Sequence, residues 1–336
     1  MNVIELTRAL VDIESITENE GNVGAYLHDH LTKLAAGTSG SVEKMEVEPG
    51  RFNVLACWGN PVVTLSTHMD TVPPFVASRE DEDFVWGRGA CDAKGIIASM
   101  TGAAEKLLGE GLRNFALLFV VGEERNSKGA EGAARAPRGS KYLVNGEPTE
   151  NKLALASKGI LRFEIEARGR MAHSAYPELG ESAIEALLDS LDAVRRMPLP
   201  HDELLGPCTI NIGTISGGRA PNVIADAAKA EILVRLVGDP GPLREAFARL
   251  AGRRVQVKEI LCIPPIQFQN VDGMPTTVVS YTTDVPVFGT SWGKPLLLGP
   301  GSIHVAHTLE ERISKRDLVE AVEMYAGVVR TLLATG

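Results

Sequence analysis

Five short stretches of this 336-residue chain place histidine or carboxylate side chains just after an apolar run or a glycine-rich turn. The first is Thr67-His68-Met69-Asp70, which follows Val62-Val63-Thr64-Leu65-Ser66. A histidine and an aspartate two residues apart fall on one side of an extended chain. His68 can then bind a metal ion while Asp70 holds the other ring N–H and fixes the tautomer. A surface or capping pair has the same spelling. The second stretch, Gly87-Arg88-Gly89-Ala90-Cys91-Asp92, precedes a helical segment, so Asp92 is either that helix's N-cap or a carboxylate placed to bridge two cations. The third, Gly122-Glu123-Glu124, follows a strongly apolar run, where two carboxylates are costly unless something compensates them. They read as a solvated loop, or as a metal ligand (Glu124) beside a general base (Glu123). The fourth is Glu147, in Asn145-Gly146-Glu147-Pro148. The fifth, Gly299 to His307, holds two histidines, His304 and His307.

Each stretch alone is ambiguous. Together His68, Asp92, Glu124, Glu147 and His307 form a nitrogen and oxygen ligand set that suits a borderline cation such as zinc and needs no thiolate. The elements that must carry them follow from periodicity. Apolar spacing predicts two helical pieces in the first thirty-odd residues, broken near Glu18–Gly21. Strands are expected at 52–58, 62–66, 116–121 and 142–145, and a helix at 95–108. The near-continuous apolar run at 116–121 suits a strand covered on both faces. Strands alternating with helices give a layered α/β fold, in which loops at the carboxyl ends of strands form the binding crevice.

The pattern changes near Ala156. Residues 161–167 alternate apolar and polar, as do 228–237 and 254–260, with a further strand at 209–215 and helices at 182–194 and 242–250. The order strand, helix, strand, strand, helix, strand describes a ferredoxin-like α+β unit, placed at 157–263. After Pro264-Pro265 the α/β style resumes. It ends in a helix over 314–333 with Ser314 as N-cap and Asp317 in its first turn. The expected organisation is therefore one α/β domain, 1–156 and 264–336, interrupted by an insert.

These motifs, in this order, resemble the superfamily of co-catalytic zinc hydrolases that includes aminoacylase, acetylornithine deacetylase, succinyl-diaminopimelate desuccinylase and carboxypeptidase G. The resemblance runs through nearly the whole chain, from Leu10-Val11-Asp12-Ile13-Glu14-Ser15-Ile16 onward. It implies a zinc-exopeptidase-like catalytic domain and an inserted dimerisation or lid domain. By resemblance, His68, Glu147 and Asp92 hold one ion, and Asp92, Glu124 and His307 hold the other. Zinc is the default, with cobalt or manganese as alternatives. Glu123 is then the base and Asp70 orients His68. His307 is preferred to His304 because Ala306-His307 with Glu310 after it looks closer to the family's ending.

In the insert, Gly169-Arg170-Met171-Ala172-His173-Ser174 resembles a histidine motif whose side chain reaches the partner subunit's site to stabilise an oxyanion. Gly217 to Ala225, with Arg219 and Asn222, resembles a substrate-contacting loop. Asn222 and Arg235 are candidates for holding a substrate carboxylate, because an arginine fork pairs with that group bidentately. Gly289-Thr290-Ser291 resembles a loop lining the same pocket. The implied activity is removal of an N-acyl group from a small amino acid, with N-acetylornithine first. Desuccinylase, dipeptidase and carboxypeptidase activities follow, and a non-catalytic metal-binding scaffold is the remote alternative. A homodimer through the insert is implied.

Composition narrows the classes. A formal net charge of -9 argues against a nucleic-acid partner, which needs clustered Lys and Arg. Four scattered cysteines without a C-x-x-C pair argue against a disulfide framework or a structural zinc knot and fit a reducing cytoplasm. The start lacks a basic and then apolar leader, and the apolar runs are too short to span a bilayer. No membrane partner is expected.

Overall fold

The structure, a computed structural model, describes residues 1–335. The chain divides into two compact units. One comprises Met1–Leu155, Phe268–Thr277 and Thr283–Gly336, and the other Ala156–Gln267 with Val278–Thr282. No helix among the described residues is long and apolar enough to cross a membrane.

The first unit is built on a mixed sheet. Six of its strands run in the order Ser41–Glu48, Arg51–Trp58, Phe115–Val120, Val63–His68, Tyr142–Asn145 and Lys294–Leu297, and the sheet continues beyond the last of these. The last four of the six are mutually parallel, whereas Ser41–Glu48 and Arg51–Trp58 join antiparallel at one side. Every residue of Val63–His68 and Phe115–Val120 is buried. Both faces are covered, as parallel strands require. The helices Val3–Val11, Lys94–Gly109 and Lys315–Thr335 contribute Leu6, Leu10, Ile96, Ile97, Ala321, Tyr325 and Val329 to that unit's largest core. Asn2 caps the first helix in a reciprocal capping box with Glu5.

Because these strands are parallel and in register, their carboxyl ends share one edge. His68 faces Val120 across its ladder, Ser66 faces Asn145, and Asn145 faces Leu297. The turns that leave this edge carry Glu123, Glu147 and the 299–307 segment. Helix Lys94–Gly109 returns from the same edge, and Asp92 lies just ahead of it. A small antiparallel sheet of Arg79–Glu80, Phe84–Trp86 and Arg312–Ser314 holds the chain after His307 beside the chain before Asp92.

The second unit has the order strand Gly159–Arg168, helix Ala183–Arg195, strands Thr209–Gly217 and Ala227–Leu236, helix Gly241–Ala248 and strand Val255–Ile263. The sheet order, Thr209–Gly217, Ala227–Leu236, Gly159–Arg168, Val255–Ile263, is antiparallel throughout and is that of a ferredoxin-like unit. Alternation sends Leu161, Phe163, Ile165 and Ala167 inward, against Leu187, Leu191 and Phe247 of the two helices. The Phe163 and Phe247 rings stack with centroids 4.0 Å apart. The expected α/β fold with an inserted ferredoxin-like domain is what the structure has. Strand Ser41–Glu48 is an addition to the sequence reading. It lies at the sheet edge with only partial burial, which weakens its apolar signal.

Candidate metal centre

His68 ends a buried strand and is itself 1% exposed. Its Nε2 lies 2.9 Å from Asp92 Oδ1. Its Nδ1 lies 3.0 Å from the Asp70 carbonyl oxygen and 3.5 Å from the Asp70 carboxylate. The shorter contact is to the main-chain carbonyl, and the Asp70 carboxylate expected to hold this N–H also lies against the ring. The carboxylate has other donors as well. It accepts from Thr17 Oγ1 at 2.8 Å and from the main-chain N–H groups of Glu123 at 3.1 Å and Glu124 at 3.2 Å. Asp70 therefore fixes the Glu123-Glu124 turn as much as the His68 ring.

Asp92 is 6% exposed. The N-cap of helix Lys94–Gly109 is Ala93, with no side-chain cap bond, so the capping reading of Asp92 fails. Its carboxylate instead faces two imidazoles, His68 and His307, the second with Nε2 3.4 Å from Oδ2. His307 Nε2 is also 2.9 Å from Glu124 Oε1. Of the two C-terminal histidines it is thus His307 that reaches the cluster. His304 is exposed. His307 has φ +64°, in the left-handed region that non-glycine residues seldom occupy. Such strain costs on the order of 1–3 kcal/mol and gathers at functional sites.

Ligand atoms of His68, Asp92 and Glu124 lie within 4.8 Å of one another. Glu147 is 4% exposed, and its Oε1 is buried without a hydrogen-bond partner among the described residues. It follows Gly146, where a Cβ would come within 2.5 Å of Ile96 and Met100 on the adjacent helix, so only glycine lets this turn lie so close. The preceding Gly122 has φ +83° and turns the chain out of its strand into Glu123.

The electrostatics are those of crowded acids. Burial pushes the Glu123 carboxyl well above its usual range, and the Glu147 charge adds to this. Burial does the same to Glu147, with Asp92, Asp284 and Glu124 adding repulsion. Asp92 goes the other way. Burial opposes its charge, but hydrogen bonds from His307 and His68 hold it below the usual carboxylate range. Bonds to Asp92 and Glu124 push His307 up to about 10. Buried carboxylates of this number call for a cation or protons. The donor set fits a divalent cation: imidazoles and carboxylates with mutually close ligand atoms, plus an orphaned buried Glu147 oxygen aimed at no protein donor. The Glu123 carboxylate makes no hydrogen bond or ion pair with any other described residue.

The remaining predicted residues are distributed otherwise. His173 is exposed in the second unit, and its Nδ1 accepts from Ala175 N–H at 3.1 Å. Its loop bridges to Val223, and the Asn222 carbonyl accepts from Ser174 N–H. Arg219, expected to contact substrate, has its fork on Asp226, through Nε–Oδ1 at 3.0 Å and Nη2–Oδ2 at 2.9 Å. Arg235 is partly buried, has no ion pair among the described residues, and has its pKa lowered by burial. Gly289 ends the short helix Val285–Phe288 with φ +57°, and Thr290 follows it on the surface.

Three residues escaped the sequence reading. Thr17 bonds Asp70, and Glu311 is buried with Arg88. The acid near the chain's end that matters structurally is Glu311, not the exposed Glu310. Adjacent acids of one type carry no sequence signal to separate them.

Comparison with known proteins gives the chain's relatives. Residues 155–252 match the family model described as a peptidase dimerisation domain. A peptidase M20 domain-containing protein of Schizosaccharomyces pombe is 38% identical, over 98% of this chain and 84% of that protein. A probable carboxypeptidase of Aspergillus flavus is 36% identical, over 97% of this chain and 86% of that protein. The crystal structure of aminopeptidase PepT from Bacillus cereus superposes with a TM-score of 0.79 at 21% identity, covering 99% of this chain and 98% of that one.

Proposed function

The chain belongs to the M20 peptidase family, whose members hydrolyse amide bonds, and from that premise we propose that it is a two-metal hydrolase of small peptides or N-acyl amino acids that carry a free carboxylate. The observation that supports this is the convergence of His68, Asp92, Glu124 and His307 beside the unpaired Glu123. His68, Glu147 and Asp92 would hold one ion, and Asp92, Glu124 and His307 the other. Such ions supply Lewis acidity, polarising a carbonyl and acidifying water nearby.

The protein's own part is proton transfer and orientation. The Glu123 carboxylate accepts a proton from the attacking water as the water's oxygen joins the carbonyl carbon. As the carbon–nitrogen bond breaks, the same carboxyl delivers that proton to the leaving amine and is restored. Asp70 keeps the Glu123 turn fixed through two main-chain N–H bonds. His173, with Nδ1 accepting, has its proton on Nε2, so that nitrogen can donate to a developing oxyanion in the other copy of a dimer.

For the substrate, the relatives' names favour peptides over N-acetylornithine, and no described residue is seen to select an acetyl group. Arg235, with Asn222, is the candidate for the substrate carboxylate. A panel tests this: a dipeptide, its C-terminal amide, N-acetylornithine, N-acetylmethionine and N-succinyl-diaminopimelate, with and without chelator. Chelator-sensitive cleavage of the free-carboxylate dipeptide but not of its amide is expected. Arg235→Met should raise KM about tenfold or more, the worth of a charge-assisted hydrogen bond. Cleavage of no member sinks the reading, and equal cleavage of the amide removes the carboxylate requirement.

We also propose a homodimer through the second unit. Strand Thr209–Gly217 is an outer strand of its sheet. Ile215 is 59% exposed, and Leu188 on helix Ala183–Arg195 is 48% exposed. An open strand edge with apolar neighbours invites pairing. Sedimentation should show a two-chain particle that Ile215→Lys shifts toward one chain. A wild-type particle of one chain contradicts the proposal.

A further inference from the structure

Glu311 is 2% exposed, a carboxylate enclosed in the first unit. Its Oε1 accepts three main-chain N–H bonds, from Gly89 at 2.9 Å, Cys91 at 3.2 Å and Asp92 at 3.1 Å. Its Oε2 takes Arg88 Nη1 at 2.5 Å, and Arg88 is equally buried. Its own carbonyl accepts from Gly87 N–H at 3.0 Å. The turn from Gly87 to Asp92 therefore wraps one side chain. Gly87 and Gly89 have φ +136° and +85°, which allow that curl. Three convergent N–H groups form an anion-binding concavity, and the anion that fills it belongs to the protein.

We propose that Glu311 is a positioning residue that sets the metal affinity of the site by fixing the turn that presents Asp92. This rests on the reading of the His68, Asp92, Glu124 and His307 cluster as a metal centre. Two features carry it. Asp92 donates its own N–H to Glu311 while its carboxylate faces both histidines, so the main chain at the shared ligand is held from behind. His307 lies four residues before Glu311 in the same segment, and the Arg312–Ser314 strand pins that segment to Phe84–Trp86. Glu311 thus ties the turn of one ligand to the segment of another, and the two keep their separation. Arg88 neutralises the charge, so the clamp adds no net negative potential to a cluster already crowded with acids.

A neutral glutamine cannot reproduce this. To keep its oxygen on the three N–H groups it must turn its NH2 toward the Arg88 guanidinium, donor against donor. Outer partners of metal ligands typically govern affinity or activity by about 10- to 100-fold.

The test uses the full chain, stripped of metal and titrated with Zn2+ and with Co2+ against a competing chelator. Unfolding by circular dichroism is the fold control, and Glu310→Gln is the neighbouring-charge control. Glu311→Gln is expected to fold, to bind both metals about 10- to 100-fold more weakly, to show an altered Co2+ absorption spectrum, and to lose kcat with KM little changed. Arg88→Met, which strands the carboxylate, is expected to weaken binding in the same direction. Wild-type affinity and spectrum in a folded Glu311→Gln overturn the inference alone. No metal binding by the wild-type chain overturns the metal-centre reading and this inference with it. If neither variant folds, the pair is a scaffold of the fold and the positioning role is overturned.

Discussion

Replacing Glu123 by glutamine is expected to lower kcat by about 10²- to 10⁴-fold, the usual worth of a positioned general base, with metal content and KM near those of the parent chain. Three features of the site lead to this result. Glu123 follows a buried strand through Gly122, so its position is set by the sheet rather than by a mobile loop. Its main chain is tied to Asp70. Its carboxylate has no protein partner among the described residues, whereas its neighbour Glu124 is bonded to His307. One acid is committed to the cluster and the next is left free to move a proton. Metal analysis alongside steady-state kinetics checks this. Loss of metal in the variant would make Glu123 a ligand, and unchanged kcat would remove it from the reaction.

The second large effect is expected at Asp92. Asp92→Ala should leave less than the full complement of metal bound and lower kcat by about 10³-fold or more. The Lewis acidity at stake is worth several kcal/mol, and each 1.4 kcal/mol is a factor of ten. Asp92 is the carboxylate that both imidazoles face, at 2.9 and 3.4 Å, so its removal disturbs both proposed ion positions. Glu147→Ala, which touches one proposed position, should cost less. Equal metal content and kcat in Asp92→Ala would show that Asp92 holds neither ion.

Much of this arrangement is legible in the sequence because ligand candidates at the end of a parallel sheet share a local grammar. An apolar strand, a glycine or small residue, and then a polar side chain recur at His68, Glu124 and Glu147. Alternation in residues 161–167 and 228–237 likewise marks the half-buried strands of the second unit. What the sequence hides is long-range pairing. Glu311 and Arg88 are 223 residues apart, and only the folded chain shows that one fills a turn made by the other. The fork of Arg219 looks free in sequence, and Asp226, seven residues on, occupies it. His307 and His304 are near neighbours of one type. They are separated by a backbone angle, φ +64° at His307, that no composition or periodicity encodes. Asp70 shows a subtler limit: its spacing to His68 suggests a side-chain bond, yet the main-chain carbonyl makes the closer approach to the ring.

Amide hydrolysis by this chain is proposed to depend on ions held by the His68, Asp92, Glu124, Glu147 and His307 cluster. The most direct measurement strips metal from the chain, then adds Zn2+ in steps while following dipeptide hydrolysis and bound metal together. The stripped protein should show no activity, and activity should rise with binding and level off near two ions per chain. Hydrolysis that persists without metal, or metal that binds in full with His68 and Asp92 both replaced by alanine, would contradict it.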